Sequence, residues 1–301
     1  MSRRRSRGRD VHGILLLDKP KGLTSNAALQ RAKQLYGASK AGHTGSLDPI
    51  ATGMLPLCFG AATKVSAYLL EATKTYRVAC ELGVGTDTGD ADGRVIERRE
   101  APRPGEADVR AALARFRGTV EQVPPMYSAL KRDGRRLYEL ARAGLEVPRE
   151  PRTVEIAAIE LGRYEWPHLE FTVTCSKGTY VRSLVEDIAA ALDTVGHVTA
   201  LRRVALGPFR EEQMVTMERL EAAEGAQALD ALLLPADAAL EDWPRVALDG
   251  AAADRFLHGQ PVPAAPSWPM RWVRVYGPGP QLLGLGEVGL DRRLAPRRLL
   301  A

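Results

Sequence analysis

The segment Ala41-Gly-His-Thr-Gly-Ser-Leu-Asp-Pro-Ile-Ala-Thr-Gly53 restricts the possible folds of this chain more than any other. Three glycines, a proline and several hydroxyl side chains keep it out of any helix or strand, yet apolar elements flank it on both sides. Before it, Gly13–Leu17 is a continuous apolar run stopped by Asp18-Lys-Pro-Lys-Gly22, which predicts a buried strand entering a turn. Thr24 and Ser25 are suited to cap a helix over Ala27–Tyr36 that ends at Gly37. After it, Met54–Phe59 has the composition of a short strand. The loop is therefore expected to lie against a core and not in solvent.

Downstream, strand and helix patterns alternate irregularly. Helices are predicted over Thr63–Glu71, Glu106–Phe116, Arg135–Arg142, Tyr180–Leu192, Glu218–Leu234 and Leu248–His258. Strands are predicted over Thr75–Leu82, Thr153–Leu161, Leu169–Cys175, His197–Leu206, Trp272–Tyr276 and Leu282–Val288. The absence of regular βαβ units indicates an α+β fold. Pro124-Pro125 rules out a central strand there, so 124–152, with Lys131, Arg132, Arg135, Arg136, Arg142, Arg149 and Arg152, reads as a basic excursion from the core. The opening residues 1–10 carry five arginines without an apolar anchor and read as a mobile basic arm. From about residue 245, after a linker at Glu241–Pro244, a small mostly-β unit is expected.

Asp48 is the leading candidate for chemistry. A carboxylate fixed before proline, in a loop whose glycines admit close backbone approach, suits a nucleophile or base, and equally a simple turn former. Neither GxGxxG nor GxxxxGK[ST] occurs there, which disfavours ATP and NAD. His43 reads as a substrate contact. Thr88-Gly-Asp-Ala-Asp-Gly93 imitates a calcium loop but has Thr88 at its first position and Arg99 at its last, so it reads as an Asp/Gly turn. Arg182, beside Tyr180 at a helix start, is suited to pair a carboxylate or grip phosphate.

Of 42 Lys and Arg residues 34 are Arg, and the net charge is +5, which fits an anionic partner. Cys58, Cys80 and Cys175 are too widely spaced for a zinc site or a disulfide framework and are expected as buried thiols. No run is long and apolar enough for a membrane helix or a signal peptide, so a cytoplasmic location is expected and no membrane partner.

Six stretches occur in the order found in one family: Leu17–Ser25, Lys40–Gly53, Lys74-Thr-Tyr76, Gly85–Asp90, Pro124–Leu130 and Cys175–Arg182. Through them the chain resembles the bacterial tRNA pseudouridine synthases of the TruB type, which convert uridine 55 of the T-arm. The resemblance implies a mixed, largely antiparallel sheet flanked by helices over 11–244, with 124–152 as a thumb-like insertion and 245–301 as a PUA-like RNA-binding domain. It implies Asp48 as nucleophile, attacking either the sugar C1′ or the base C6. Tyr76 would stack on the target base and is a candidate for proton removal, and Arg182 would pair with the nucleophile. Tyr180, His43 and Leu201 would contact the substrate. Ile50 stands where the family usually has Leu. The implied partner is the tRNA T-arm, with no obligate protein partner. Isomerising uridine involves no net redox change and no donated group, so no cofactor or metal is implied. Residues 292–298, with Arg292, Arg293, Arg297 and Arg298, read either as phosphate contacts or as a solvated basic tail. Two further readings are a tRNA-binding chaperone without catalysis and a hydrolase in which Asp48 activates water.

Overall fold

Gly13–Lys19 forms strand β1 of a ten-stranded sheet, and its aliphatic run follows from burial on both faces. The computed structural model describes residues 8–100, 103–132 and 134–300. Ile14 and Leu16 join one core with Met54, Cys58 and Phe209, while Leu15 and Leu17 join another with Leu55, Leu57 and Phe171.

After β1 come α1 (Ser25–Leu35), β2 (Ala41–His43), β3 (Thr52–Phe59), α2 (Ser66–Glu71), β4 (Lys74–Leu82), and the hairpin of β5 (Val84–Thr86) and β6 (Val95–Arg98). Then follow α3 (Glu106–Ala114), β7 (Gly118–Gln122), a small hairpin of β8 (Lys131–Arg132) and β9 (Arg135–Arg136), and α4 (Leu137–Arg142). β10 (Arg152–Glu165), β11 (His168–Cys175), α5 (Val181–Ala191), β12 (Gly196–Leu206), β13 (Phe209–Arg210) and β14 (Val215–Thr216) complete this part.

The strand order is β14-β1-β3-β12-β4-β11-β10-β7, with β2 added to β3 and β13 to β12. Only β1 with β14 and β3 with β12 pair in parallel in this sheet, so the fold is α+β with a mixed, largely antiparallel sheet. The parallel contact matters for the site, because it sets Arg202 and Arg203 beside Thr52 and Gly53, where the glycine-rich loop re-enters the sheet. Gly53 has φ +95°, and a Cβ there would lie 2.3 Å from the Arg203 carbonyl oxygen, so only glycine fits this crossing.

Short helices α6 (Met217–Glu221) and α7 (Gly225–Asp230) lead to a second sheet. Its strands are β15 (Arg245–Ala247), β16 (Val262–Pro263), β17 (Trp272–Tyr276), β18 (Leu282–Val288) and β19 (Arg293–Leu299), in the order β15-β17-β18-β19-β16. Helix α8 (Gly250–Leu257) packs on it, and Val246, Phe256, Val273, Val275 and Leu294 form its own core.

Several expectations change. The single helix expected over Glu218–Leu234 is two short helices, broken where Gly225 takes φ +80°, and Leu234 bridges to Ile14 of β1 instead of continuing a helix. Of the two readings of the basic stretch at 292–298, the solvated tail does not hold, because it includes strand β19, where Leu294 is fully buried and Arg297 pairs with Glu287 of β18. Most of the N-terminal arm lies outside the described residues, but Arg9 is anchored. Its amide donates to Gly37, and its guanidinium pairs with Asp230 at 2.6 Å. All three cysteines are buried and free.

Candidate active site

The loop between β2 and β3 contains buried backbone without a ladder, so its polar groups need other partners. Ser25 Oγ accepts from Leu47 N at 2.7 Å and donates to Leu47 O at 3.1 Å, fastening the loop to the start of α1. Thr24 performs the capping of α1, accepting from Ala27 N, which leaves Ser25 free for this second task. Pro49 O accepts from Gly22 N at 2.8 Å, and Ala51 N donates to Asp48 O at 3.1 Å. Lys19, 0% exposed, donates to Leu23 O at 2.7 Å and Pro20 O at 2.9 Å beneath the loop. Burial lowers its pKa to about 8, while Asp48 opposes that shift. The turn at Gly45–Asp48 is thus held from three sides before any ligand arrives.

Asp48 meets Arg182 at the N-terminal turn of α5. Arg182 Nε lies 2.9 Å from Asp48 Oδ2 and 3.7 Å from Asp90 Oδ2. Nη1 donates to Thr88 O at 2.7 Å and Nη2 to Tyr127 O at 2.8 Å, so the guanidinium is used along its whole edge. The Arg182 side chain is 5% exposed and that of Asp48 is 41% exposed, so Asp48 alone of the pair faces open space. Burial raises the Asp48 carboxyl above its ordinary range and the like charge of Asp90 adds to this, whereas Arg182 and Lys19 pull it down. Asp90→Asn keeps the Oδ1 acceptor that Thr88 and the Asp92 amide use and removes the like charge. The Asp48 titration, followed by carboxyl carbon-13 NMR, is expected to move to lower pH in that variant; an unchanged or higher titration contradicts the electrostatic coupling.

A cavity of about 430 Å³ brings Asp48, Tyr76, Tyr180, Arg182 and Leu201 together. Tyr76 projects from β4 and is 8% exposed, and burial raises its phenol pKa. Tyr180 precedes α5, and Gln122 fixes its backbone with Oε1 accepting from Tyr180 N at 3.0 Å and Nε2 donating to Tyr180 O at 3.3 Å. His43 lies elsewhere. It lines an adjoining cavity of about 880 Å³, which Asp48 and Arg182 also border, together with Arg136, Tyr138 and Arg142 of the basic excursion. Burial lowers the His43 pKa, which keeps the ring neutral at pH 7. Asp48 therefore stands where a smaller pocket, walled by Tyr76, Tyr180 and Leu201 together with buried cations, opens into a wider cleft of mixed charge. Among the described residues, no group of three or more His, Cys, Asp or Glu side chains is placed to hold a metal ion, and no helix is long and apolar enough to cross a membrane.

Three site residues do not stand out in the sequence. Asp90 reads there only as part of an Asp/Gly turn; it is such a turn, but the carboxylate is 5% exposed and directed at Arg182. Arg203 and Lys74, which donates to Leu70 O at 2.7 Å, are buried cations in the wall of the smaller cavity. The available signal is position: Lys74 and Asp90 lie within stretches that carry the family resemblance, whereas Arg203 lies outside all six and is marked only by a charge within a strand of otherwise alternating burial.

Comparison with known proteins agrees with this geometry. Residues 33–181 match "TruB family pseudouridylate synthase (N terminal domain)", 182–241 match "tRNA pseudouridylate synthase B C-terminal domain", and 244–300 match "Pseudouridine synthase II TruB, C-terminal". The chain is 55% identical to the tRNA pseudouridine synthase B of Stutzerimonas stutzeri strain A1501 over 297 residues, 97% of this chain and 96% of the relative. It is 52% identical to the protein of that name from Pseudomonas aeruginosa strain UCBPP-PA14, covering 97% of each. Among solved structures, it is similar to a chain of a Cbf5-Nop10-Gar1 complex, with TM-score 0.72 and 26% identity over 96% of this chain and 85% of the other. An aspartate paired to a buried arginine beside a pocket tyrosine, on a mixed sheet with a second β unit, in a sequence more than half identical to those relatives, leads to one conclusion: the chain belongs to the TruB family of pseudouridylate synthases.

Proposed function

We propose that this protein converts uridine 55 in the T-arm of tRNA to pseudouridine, with Asp48 as nucleophile and no cofactor. The observation that carries this reading is the pairing of the cavity-facing Asp48 with Arg182 at 2.9 Å in the pocket that also holds Tyr76. The target base leaves its stack, at a cost of a few kcal/mol, and stacking and edge hydrogen bonds in the pocket offset this. Tyr76 and Tyr180 supply the aromatic surface and Leu201 the apolar wall. Asp48 forms a transient bond to the nucleotide at C1′ or C6, and the C1′–N1 bond breaks. The uracil rotates, a C1′–C5 bond forms, the proton leaves C5, N1 is protonated, and the aspartate is released. Tyr76 is the nearby oxygen suited to take the C5 proton, and Arg182 holds Asp48 ionised against burial.

The rest of the chain is read as RNA-binding surface. The excursion at 124–152 acts as a thumb over the wider cleft, with exposed Lys131, Arg132, Arg135, Arg136 and Arg142 following phosphates. Tyr138 lies between Arg136 and Arg142, 5.9 and 5.5 Å from their guanidinium carbons. Residues 245–301 serve as a PUA-like domain that adds phosphate contacts. The substrate places this work in the cytoplasm. Replacing Arg132 and Arg135 by Gln is expected to reduce the slope of log K against log salt by about one for each phosphate no longer neutralised; an unchanged slope in tRNA binding titrations removes the thumb from the interface.

The decisive experiment is tritium release from C5-labelled uridine in a T-arm transcript, with the parent protein and Asp48→Asn. Release by the parent alone supports the isomerase. Release by neither, with tRNA binding intact, points to a binding protein, and strand scission points to a hydrolase.

A further inference from the structure

Arg203 is 1% exposed although it carries a permanent charge. The neighbouring arginines Arg182 and Arg202 are matched by carboxylates, but Arg203 is held by neutral oxygens. Its Nε donates to Met54 O of β3 at 2.6 Å and its Nη2 to Gly45 O at 3.1 Å, three residues before Asp48. On the opposite side Arg203 is the cross-strand partner of Tyr76, and its positive charge favours the ionised phenol. Both side chains line the cavity that Asp48 borders. A buried guanidinium is costly when only neutral groups face it. An apolar side chain would fill the space without that cost, so the charge needs another reason to be there.

We propose that Arg203 is a positioning residue for the uridine reaction: one buried guanidinium ties the Gly45–Asp48 turn to strand β3 at the register position opposite Tyr76, and so holds Asp48 and Tyr76 in a single frame. This rests on the reading of Tyr76 as the proton acceptor. The groups facing the Tyr76 oxygen come from several elements. Arg203 on β12 favours the phenolate, while Asp48 in the loop and Cys175 on β11 disfavour it. Lys74 lies two residues away on the same strand, in the same cavity. Arg203 is therefore a side chain that both fastens the Asp48 turn and places a positive charge in the direction that proton removal requires.

Three measurements test the proposal. Arg203→Lys keeps the charge but replaces the planar fork with a point donor. Single-turnover conversion by this variant is expected to fall roughly 100-fold, the scale of a misplacement near 1 Å, with the tRNA Kd unchanged. In ring carbon-13 tyrosine NMR, the Tyr76 phenol is expected to titrate at higher pH in Arg203→Met than in the parent, with Arg203→Lys in between. A folded Arg203→Lys protein with the parent rate, or a Tyr76 resonance that titrates identically in both variants, overturns the proposal. Because Arg203→Met leaves two buried carbonyls without a donor, a third measurement follows the backbone amide resonances of Gly45–Asp48 in Arg203→Lys, which loses the fork that holds Gly45 O: they are expected to shift and to exchange faster with solvent, and no change overturns the proposal. The two NMR readouts need no RNA, so they succeed or fail independently of whether the protein isomerises uridine.

Discussion

Replacing Asp48 with Asn is expected to abolish uridine conversion while leaving the protein folded and able to bind tRNA. The amide has nearly the shape of the carboxylate but lacks the negative oxygen needed to form the nucleotide bond, so the expected loss in single-turnover rate is on the order of 10⁴ to 10⁶. The fold does not depend on this charge, because Arg182 keeps Asp90 at 3.7 Å and the carbonyls of Thr88 and Tyr127. With its side chain 41% exposed, Asp48 contributes at most about 1 kcal/mol through the ion pair after solvent screening. Tritium release and denaturant unfolding measured on the same preparation separate the two effects. A residual rate above roughly a thousandth of the parent's would rule out the nucleophilic role.

Arg182→Met is expected to remove both activity and a large share of stability. The parent guanidinium serves Asp48, Asp90 and two backbone carbonyls from a position only 5% exposed. Without it two carboxylates and two carbonyls face one another across a hole. Loss of one partner of a buried charge network costs about 3–5 kcal/mol, read as a lower urea midpoint at unchanged slope. Arg182→Lys is expected to recover part of the stability but little of the rate, since an ammonium cannot span the same acceptors. The sign of the pH dependence is an independent check. With the cation gone, the Asp48 carboxyl, already raised by burial, titrates further above its unfolded value, so at this group the folded variant binds more protons than the unfolded chain, and the stability it contributes rises as pH falls. A stability deficit of the variant relative to the parent that widens instead of narrowing on acidification would show that Arg182 does not hold Asp48 ionised.

The extent to which this molecule is readable in advance follows from the range over which its forces act. Local patterns locate β1, α1, the break at Gly37 and, apart from the end of β10, the other predicted strands to within one or two residues, because burial periodicity and capping are local, while the short strands such as β2, β5–β9 and β13–β16 are not predicted. The helix expected over Glu218–Leu234 fails because the positive φ of Gly225 separates α6 from α7, and beyond Asp230 the chain turns so that Leu234 bridges to Ile14 of β1. β19 escapes notice because an arginine-rich strand with outward charges does not look apolar, although Leu294 on it is fully buried. Ordered motifs point to Asp48, Tyr76 and Arg182, but their separation in sequence leaves their contact open. Asp90 and Arg203 do not stand out because nothing within a few residues of either explains a buried charge.

From the sequence alone came the alternation of helices and strands, the irregular loop at 44–51, although its flanks at 41–43 and 52–53 proved to be strand, and the residue types able to carry the chemistry, since these depend on neighbours a few positions apart. Only the tertiary structure decided which charges meet. Parallel pairing of β12 with β3 and antiparallel pairing with β4 set Arg203 between the Asp48 loop and Tyr76, and the start of α5 sets Arg182 against Asp48 and Asp90. Electrostatic effects of that size require a few ångströms of separation and exclusion of water, and folding alone creates both conditions.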